Sequence, residues 1–309
     1  MRRFRRGVLA GWLTLTATGY GLAQNGTAQA LTDSIQRYAS IANGTEGRED
    51  SGNWLKLAAT YQAATRYGDA ERAYGRAVSL LKAQNSPDLA NAMDLTATLY
   101  AQEGKLGKAE QTEMGALQLA EQRDDRLSEA RCWMTLAMIL LGEHHVSEAG
   151  RYAGWAVDRL VAERPAQQDQ VSIEQQMAAL IYLSEAREAE GDSASAVQAL
   201  NRAREIGGAK YAPSSFPMAY VDFLLGYAHW RNGEDDLAAE LMKAGAPGIQ
   251  AELGWGHPTC VQLMRHYEAF LKQTQRREEA AELRAAMARA RAMAGPVNGS
   301  GSAMAALSP

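Results

Sequence analysis

One unit of two short helical runs recurs six times along this chain, and no other feature restricts its folding so tightly. The first copy is Asn53 to Val78, NWLKLAATYQAATRYGDAERAYGRAV. Its residues Trp54, Leu57, Ala58 and Tyr61 fall at i, i+3, i+4 and i+7, one stripe of a helix. After a turn expected at Tyr67-Gly68-Asp69, residues Ala70, Ala73, Tyr74 and Ala77 repeat the pattern. Large residues on the first run oppose small ones on the second, so two antiparallel helices can approach closely. A pair this short is marginal alone, because isolated helices of about a dozen residues barely hold in water. The copies are anchored at Ala70, Ala109, Ala149, Ala196, Ala238 and Ala280, spaced by 39, 40, 47, 42 and 42 residues. A period in that range is the signature of stacked helical hairpins.

Composition agrees with an all-α fold. Ala, Leu, Glu, Gln and Arg dominate and β-branched runs are scarce. With 309 residues and 46% hydrophobic content the chain can bury a sizeable core. Residues Ala30 to Ala42 carry Leu31, Ile35, Tyr38 and Ala42 on one face, as expected of a helix capping the first hairpin. Asn43 to Gly52 reads as a linker. Pro87, Pro165, Pro213, Pro217 and Pro258 all fall between repeats.

The ends differ from the array. Met1-Arg-Arg-Phe-Arg-Arg is followed by a mostly apolar run, Gly7 to Gly21, and by a small-x-small site at Gly21-Leu22-Ala23, the layout of a cleaved signal peptide over residues 1–23. The run is shorter than the roughly 20 apolar residues a membrane span needs, so an uncleaved anchor is the rival. The expected location is therefore periplasmic or secreted. Loss of the four leader arginines leaves 28 basic against 36 acidic side chains, a balance that disfavours nucleic acid as a partner. Residues 294–309 read as a flexible tail. Asn25, Asn43 and Asn298 each open an Asn-x-Ser/Thr triplet, relevant only to a eukaryotic secretory route.

The residues of the unit carry a resemblance. Trp54, Leu57-Ala58, Tyr61, Ala70, Tyr74 and Ala77 in the first copy, and Trp133, Leu136-Ala137, Leu140, Ala149, Ala153 and Ala156 in the third, resemble tetratricopeptide repeats. Repeat two keeps Tyr100, Gly104 and Ala109, with Thr96 and Glu113 off-pattern. Repeat four keeps Leu180, Gly191 and Ala196, with Ser184 and Arg187 off-pattern. Repeat five keeps Leu225-Gly226, Gly233 and Ala238 but has Asp222 and His229, and repeat six is the most degraded. The period near 42 and the pair His257-Pro258 resemble the longer repeats of kinesin light chain and its bacterial relatives. The resemblance covers residues 51–293 and implies a right-handed α-α superhelix of about six hairpins, acting as a non-enzymatic scaffold or adaptor.

In such arrays the first helix of each repeat lines a concave groove. Carried over, repeats one and two offer the small or polar Leu55, Lys56, Ala59, Gln62, Asn91, Asp94, Thr98 and Gln102. Repeat three offers Arg131, Met134, Met138 and Leu141, and repeat four Ile181, Tyr182, Glu185 and Glu188. Repeat five offers Tyr220, Phe223, Tyr227 and Trp230 on one face. Two readings of that aromatic face stand open: a groove gripping a protein or peptide segment with apolar or aromatic residues, or a core stripe packing on repeats four and six.

Other chemistry is thinly represented. Cys132 and Cys260 lie in well-separated repeats and are expected to be unpaired. His144-His145 has no further ligand nearby, so no metal and no cofactor is expected. His257 and Cys260, at a helix start, are the one enzymatic lead, a thiol enzyme. The other alternative to the adaptor is a structural envelope component that self-associates as a homo-oligomer through its apolar face.

Overall fold

The computed structural model describes residues 28–42, 50–161, 173–255 and 257–293. Thirteen helices run through them: α1 (Ala28–Ala42), α2 (Ser51–Ala63), α3 (Tyr67–Ala83), α4 (Leu89–Gln102), α5 (Leu106–Gln122), α6 (Arg126–Gly142), α7 (Val146–Leu160), α8 (Ile173–Glu190), α9 (Ser193–Gly208), α10 (Phe216–Arg231), α11 (Asp235–Leu253), α12 (Pro258–Gln273) and α13 (Arg277–Met293). No strand occurs among the described residues. The leader over residues 1–23, the three Asn-x-Ser/Thr triplets, Pro165, the side chain of Leu31 and the 294–309 tail lie outside what is described.

From α2 onward the helices pair as six hairpins. Each second helix packs on its own first helix and on the first helix of the next hairpin, while first helices touch one another at α4–α6, α6–α8 and α10–α12. This is an all-α solenoid of nearest-neighbour contacts. Helix α1 packs on α2, with Ile35, Tyr38 and Ala39 against the cluster of Leu57, Ala58, Ala70 and Tyr74. The six anchor alanines are all buried, from Ala70 at 0% exposure to Ala280 at 2%. Their small size is what lets paired helix backbones approach.

One kind of turn ends all six first helices. Thr65, Gly104, His144, Gly191, Gly233 and Gln275 each close a first helix with a positive φ, between 56° and 88°. After each, the next N–H reaches back five residues to a carbonyl: Arg66 to Tyr61 at 2.8 Å, Lys105 to Tyr100 at 2.9 Å, His145 to Leu140 at 2.8 Å, Asp192 to Arg187 at 2.8 Å, Glu234 to His229 at 2.9 Å and Arg276 to Leu271 at 2.8 Å. This is the Schellman closure, which satisfies carbonyls the helix end would orphan. The first turn therefore lies at Ala64-Thr65-Arg66, three residues before the expected Tyr67-Gly68-Asp69. Those three residues open α3 instead, where Asp69 sits in the first turn and accepts from Arg66 Nε at 2.6 Å. The linker is also shorter than expected: Asp50 caps α2 by accepting from Gly52 N at 2.9 Å, so Ser51 and Gly52 are helical.

Pro87 and Pro213 lie in turns, Pro217 in the first turn of α10, and Pro258 opens α12. Pro247 is different, since it stands inside α11. There the sequence Gly245-Ala-Pro-Gly248 is pressed against α10. A Cβ on Gly245 would come within 2.4 Å of Ala219 O, and one on Gly248 within 2.6 Å of Ala219 Cβ. The near absence of side chain lets these two backbones approach closely beside the proline.

Two stability changes follow from these constraints. His144→Gly relieves a non-glycine left-handed residue and should gain roughly 0.5–1 kcal/mol in denaturant unfolding. Gly245→Ala should lose about 1–3 kcal/mol, since the added methyl meets backbone rather than a flexible side-chain tip.

Candidate functional site

The inward positions of the first helices are largely enclosed by the stacking itself. Met134, Met138, Ile181, Tyr182, Tyr220 and Phe223, expected to line an open groove, are all buried, Phe223 and Tyr182 at 0% exposure. For these six the core reading prevails, because the neighbouring first helices stand close enough to cover them. Arg131, Tyr227 and Trp230 remain partly exposed. The aromatic face of repeat five is therefore divided, its α10 N-terminal half core and its C-terminal half at the surface.

Repeat six completes that surface half. The Tyr227 ring lies 5.7 Å from Trp230 and 5.1 Å from His266, both edge-on, and Trp230 lies 5.7 Å from Phe270. Phe223 meets Tyr267 at 6.2 Å. The aromatic residues of α12 were missed as site members because repeat six departs furthest from the unit pattern. Their i, i+1, i+4 spacing at His266, Tyr267 and Phe270 was the available signal.

Polar groove positions in the first hairpins cross-link one repeat to the next. Gln62 donates to Gln102 at 2.8 Å and accepts from the Tyr74 hydroxyl at 2.9 Å. Thr135 donates to Asp94 at 2.7 Å. Glu113 is buried beside Asp94 and Cys132, and desolvation followed by the Asp94 charge pushes its carboxyl well above the usual range. Of the off-pattern residues in repeat five, Asp222 pairs with Arg204 at 2.8 Å and His229 with Glu234. Of the other departures, Thr96 and Ser184 donate to carbonyls of their own helices, Ala92 O and Ile181 O, both at 2.7 Å.

A small cavity of about 20 Å³ lies under the aromatic patch, between α8, α9, α10 and α12. Its lining includes Ser184, Glu185, Glu188, Phe223, Tyr227 and His266. Glu185 is 5% exposed, and among the described residues neither carboxyl oxygen has a hydrogen-bond partner. Burial pushes its carboxyl up to about 8. Glu188 is also raised by burial, and its Oε2 stands 3.6 Å from Arg231 Nε, beyond a hydrogen bond. His266 is lowered by burial and so is neutral near pH 7, while burial lifts the Tyr227 hydroxyl to about 12.

The thiol lead fares poorly. Cys260 is fully buried and burial pushes its thiol up to about 11, whereas a reactive cysteine needs the thiolate. His257 accepts from Thr259 N at 3.2 Å through Nδ1, capping α12. Cys132 is likewise buried and raised by desolvation. Both cysteines are free. Among the described residues no group of three His, Cys, Asp or Glu side chains could hold a metal ion, and no helix is long and apolar enough to cross a membrane.

No protein-family model and no curated protein sequence matches the chain. Its backbone is similar to solved structures of helical-repeat proteins. Apo RapI superposes with a TM-score of 0.63 at 10% identity, over 91% of this chain and 97% of that one. A Rap protein complexed with competence and sporulation factor gives 0.55 at 14%, over 93% and 97%. A kinesin light chain protein of Podosopora anserina with nearly identical TPR-like repeats gives 0.50 at 18%, over 66% and 98%. At these identities the likeness shows the fold, a TPR-like solenoid.

The cavity carboxyl makes stability depend on pH. An ordinary glutamate titrates near 4.5, and the folded Glu185 holds its proton to about 8. Between those values the native state binds more protons than the unfolded chain, so stability falls as pH rises through the window. Glu185→Gln removes this dependence. Its Tm gain over the wild type, read by scanning calorimetry, should be larger at about pH 8.5 than at about pH 5.

Proposed function

We propose that the chain is a non-enzymatic scaffold that holds a peptide segment of a partner protein against the first helices of its later hairpins. The observation that carries this is the partly exposed aromatic patch of Tyr227, Trp230 and His266, which spans two hairpins at ring distances of 5.1 to 5.7 Å. Aromatic side chains that are packed on one side and reach the surface on another are enriched among the residues that anchor interfaces. Arg131, with partial exposure on α6, belongs to the same series of first-helix positions. The similar Rap structure was solved with competence and sporulation factor bound, which lends the peptide reading support by analogy of fold. Export to the periplasm or exterior is part of the proposal and rests on the Met1–Ala23 sequence alone.

Self-association draws on a different observation. Trp155 on α7 is 47% exposed, with Tyr152 edge-on at 5.2 Å and Trp133 at 5.8 Å, an apolar spot that a second copy could cover.

The two separate in one experiment. Affinity capture from an envelope extract, with binders identified by mass spectrometry, should yield a defined set with the wild-type chain. Tyr227→Ala/Trp230→Ala should lose that set by tenfold or more while sedimenting as the wild type does. Recovery of the same proteins by the double variant would refute the patch as the binding face.

A further inference from the structure

Buried polar groups in a folded chain find partners, and each exception marks a cost that packing alone does not explain. Along the first-helix face some buried polar groups pair across repeats: Gln62 with Gln102, Asp94 with Thr135. Glu185 does not, although it is 95% enclosed and stands beside a cavity wall that also carries Glu188. A leucine at position 185 would be cheaper to bury than a carboxyl without a partner.

The chemistry of the wall says what would relieve that cost. Two carboxyls present acceptors and, once ionised, negative charge. The Arg231 guanidinium sits 3.6 Å from Glu188. His266, on α12, is kept neutral by burial, α9 contributes Leu200 to the wall, and the phenols of Tyr220 and Tyr227 on α10 stay protonated because burial raises both. An anion would meet repulsion there. A cation would meet two carboxylates and the Phe223 and Tyr227 rings, whose faces attract positive charge. About 20 Å³ has room for one water-sized group, so it suits a compact ammonium better than a planar guanidinium.

Resting on the scaffold function above, we infer that the cavity beneath Tyr227 and His266 receives the ammonium of a lysine side chain from the bound segment, with Glu185 and Glu188 as its counter-charges. The alkyl stem then lies against Tyr227, and the rest of the segment runs over Trp230. Insertion ionises Glu185, which releases its proton to solvent. Lysine binding therefore strengthens as pH rises through neutrality to about 8 and levels off above it.

The test uses an array of random capped octapeptides incubated with the full chain, every lysine peptide being matched by a copy carrying norleucine, which keeps the stem and lacks the nitrogen. Lysine copies should be retained about tenfold more tightly, and calorimetry of the best of them should show release of about one proton near pH 7. In Glu185→Gln the preference should fall to about twofold or less. If that variant is poorly folded, Glu185→Leu, which fills the cavity, should fold and show the same loss. Retention of lysine and norleucine copies alike would overturn the lysine assignment and leave the scaffold function standing. Retention of no octapeptide would count against the scaffold function itself. Displacement of the best peptide by n-butylammonium at equal concentration would overturn the assignment to a peptide segment.

Discussion

Close stacking of short hairpins removes water from much of the inward side of the first helices, and the rest of the structure is organised by that desolvation. The anchor alanines and the glycines at positions 226, 245 and 248 set the distance between helices, and the distance decides which side chains are covered. Apolar groups there become core. Polar groups must pair with the adjacent repeat or remain costly. Gln62, Asp94 and Asp222 pair, while Glu185 and Glu113 keep protons well above the ordinary carboxylate range.

Much of the fold was legible because it depends on quantities that repeat. The anchor spacings are reproduced residue for residue by the left-handed turn positions, from Thr65 to Gln275. The first turn was misplaced because glycine is the usual signal for such geometry, and here a threonine adopts it while Gly68 is helical. Pro247 is illegible for a related reason, since the setting of this proline inside a helix is the close approach of α10 to Gly245 and Gly248 of α11, which lies outside the helix's own sequence pattern.

The binding face was legible only in part. Helical spacing places Tyr220, Phe223, Tyr227 and Trp230 on one side of α10, yet whether that side meets solvent depends on how far α12 reaches along it. The reach of a neighbour is not written in a single helix. The same limit applies to Glu185, which periodicity marks as a groove position but only packing leaves without a hydrogen-bond partner among the described residues. The exposed Trp155 shows the converse, a second-helix residue left outside the core by its place in the stack.

A carboxyl kept neutral and without a partner at the junction of repeats four, five and six is what joins the fold to its proposed use. The carbon-13 shift of the Glu185 side-chain carboxyl, followed by NMR across a pH titration of the ligand-free chain, addresses it without intermediaries. A midpoint near 8 is the expected result. A midpoint near 4.5, the ordinary glutamate value, would mean that the group is solvated or already paired, and the cavity would lose its claim to be a site.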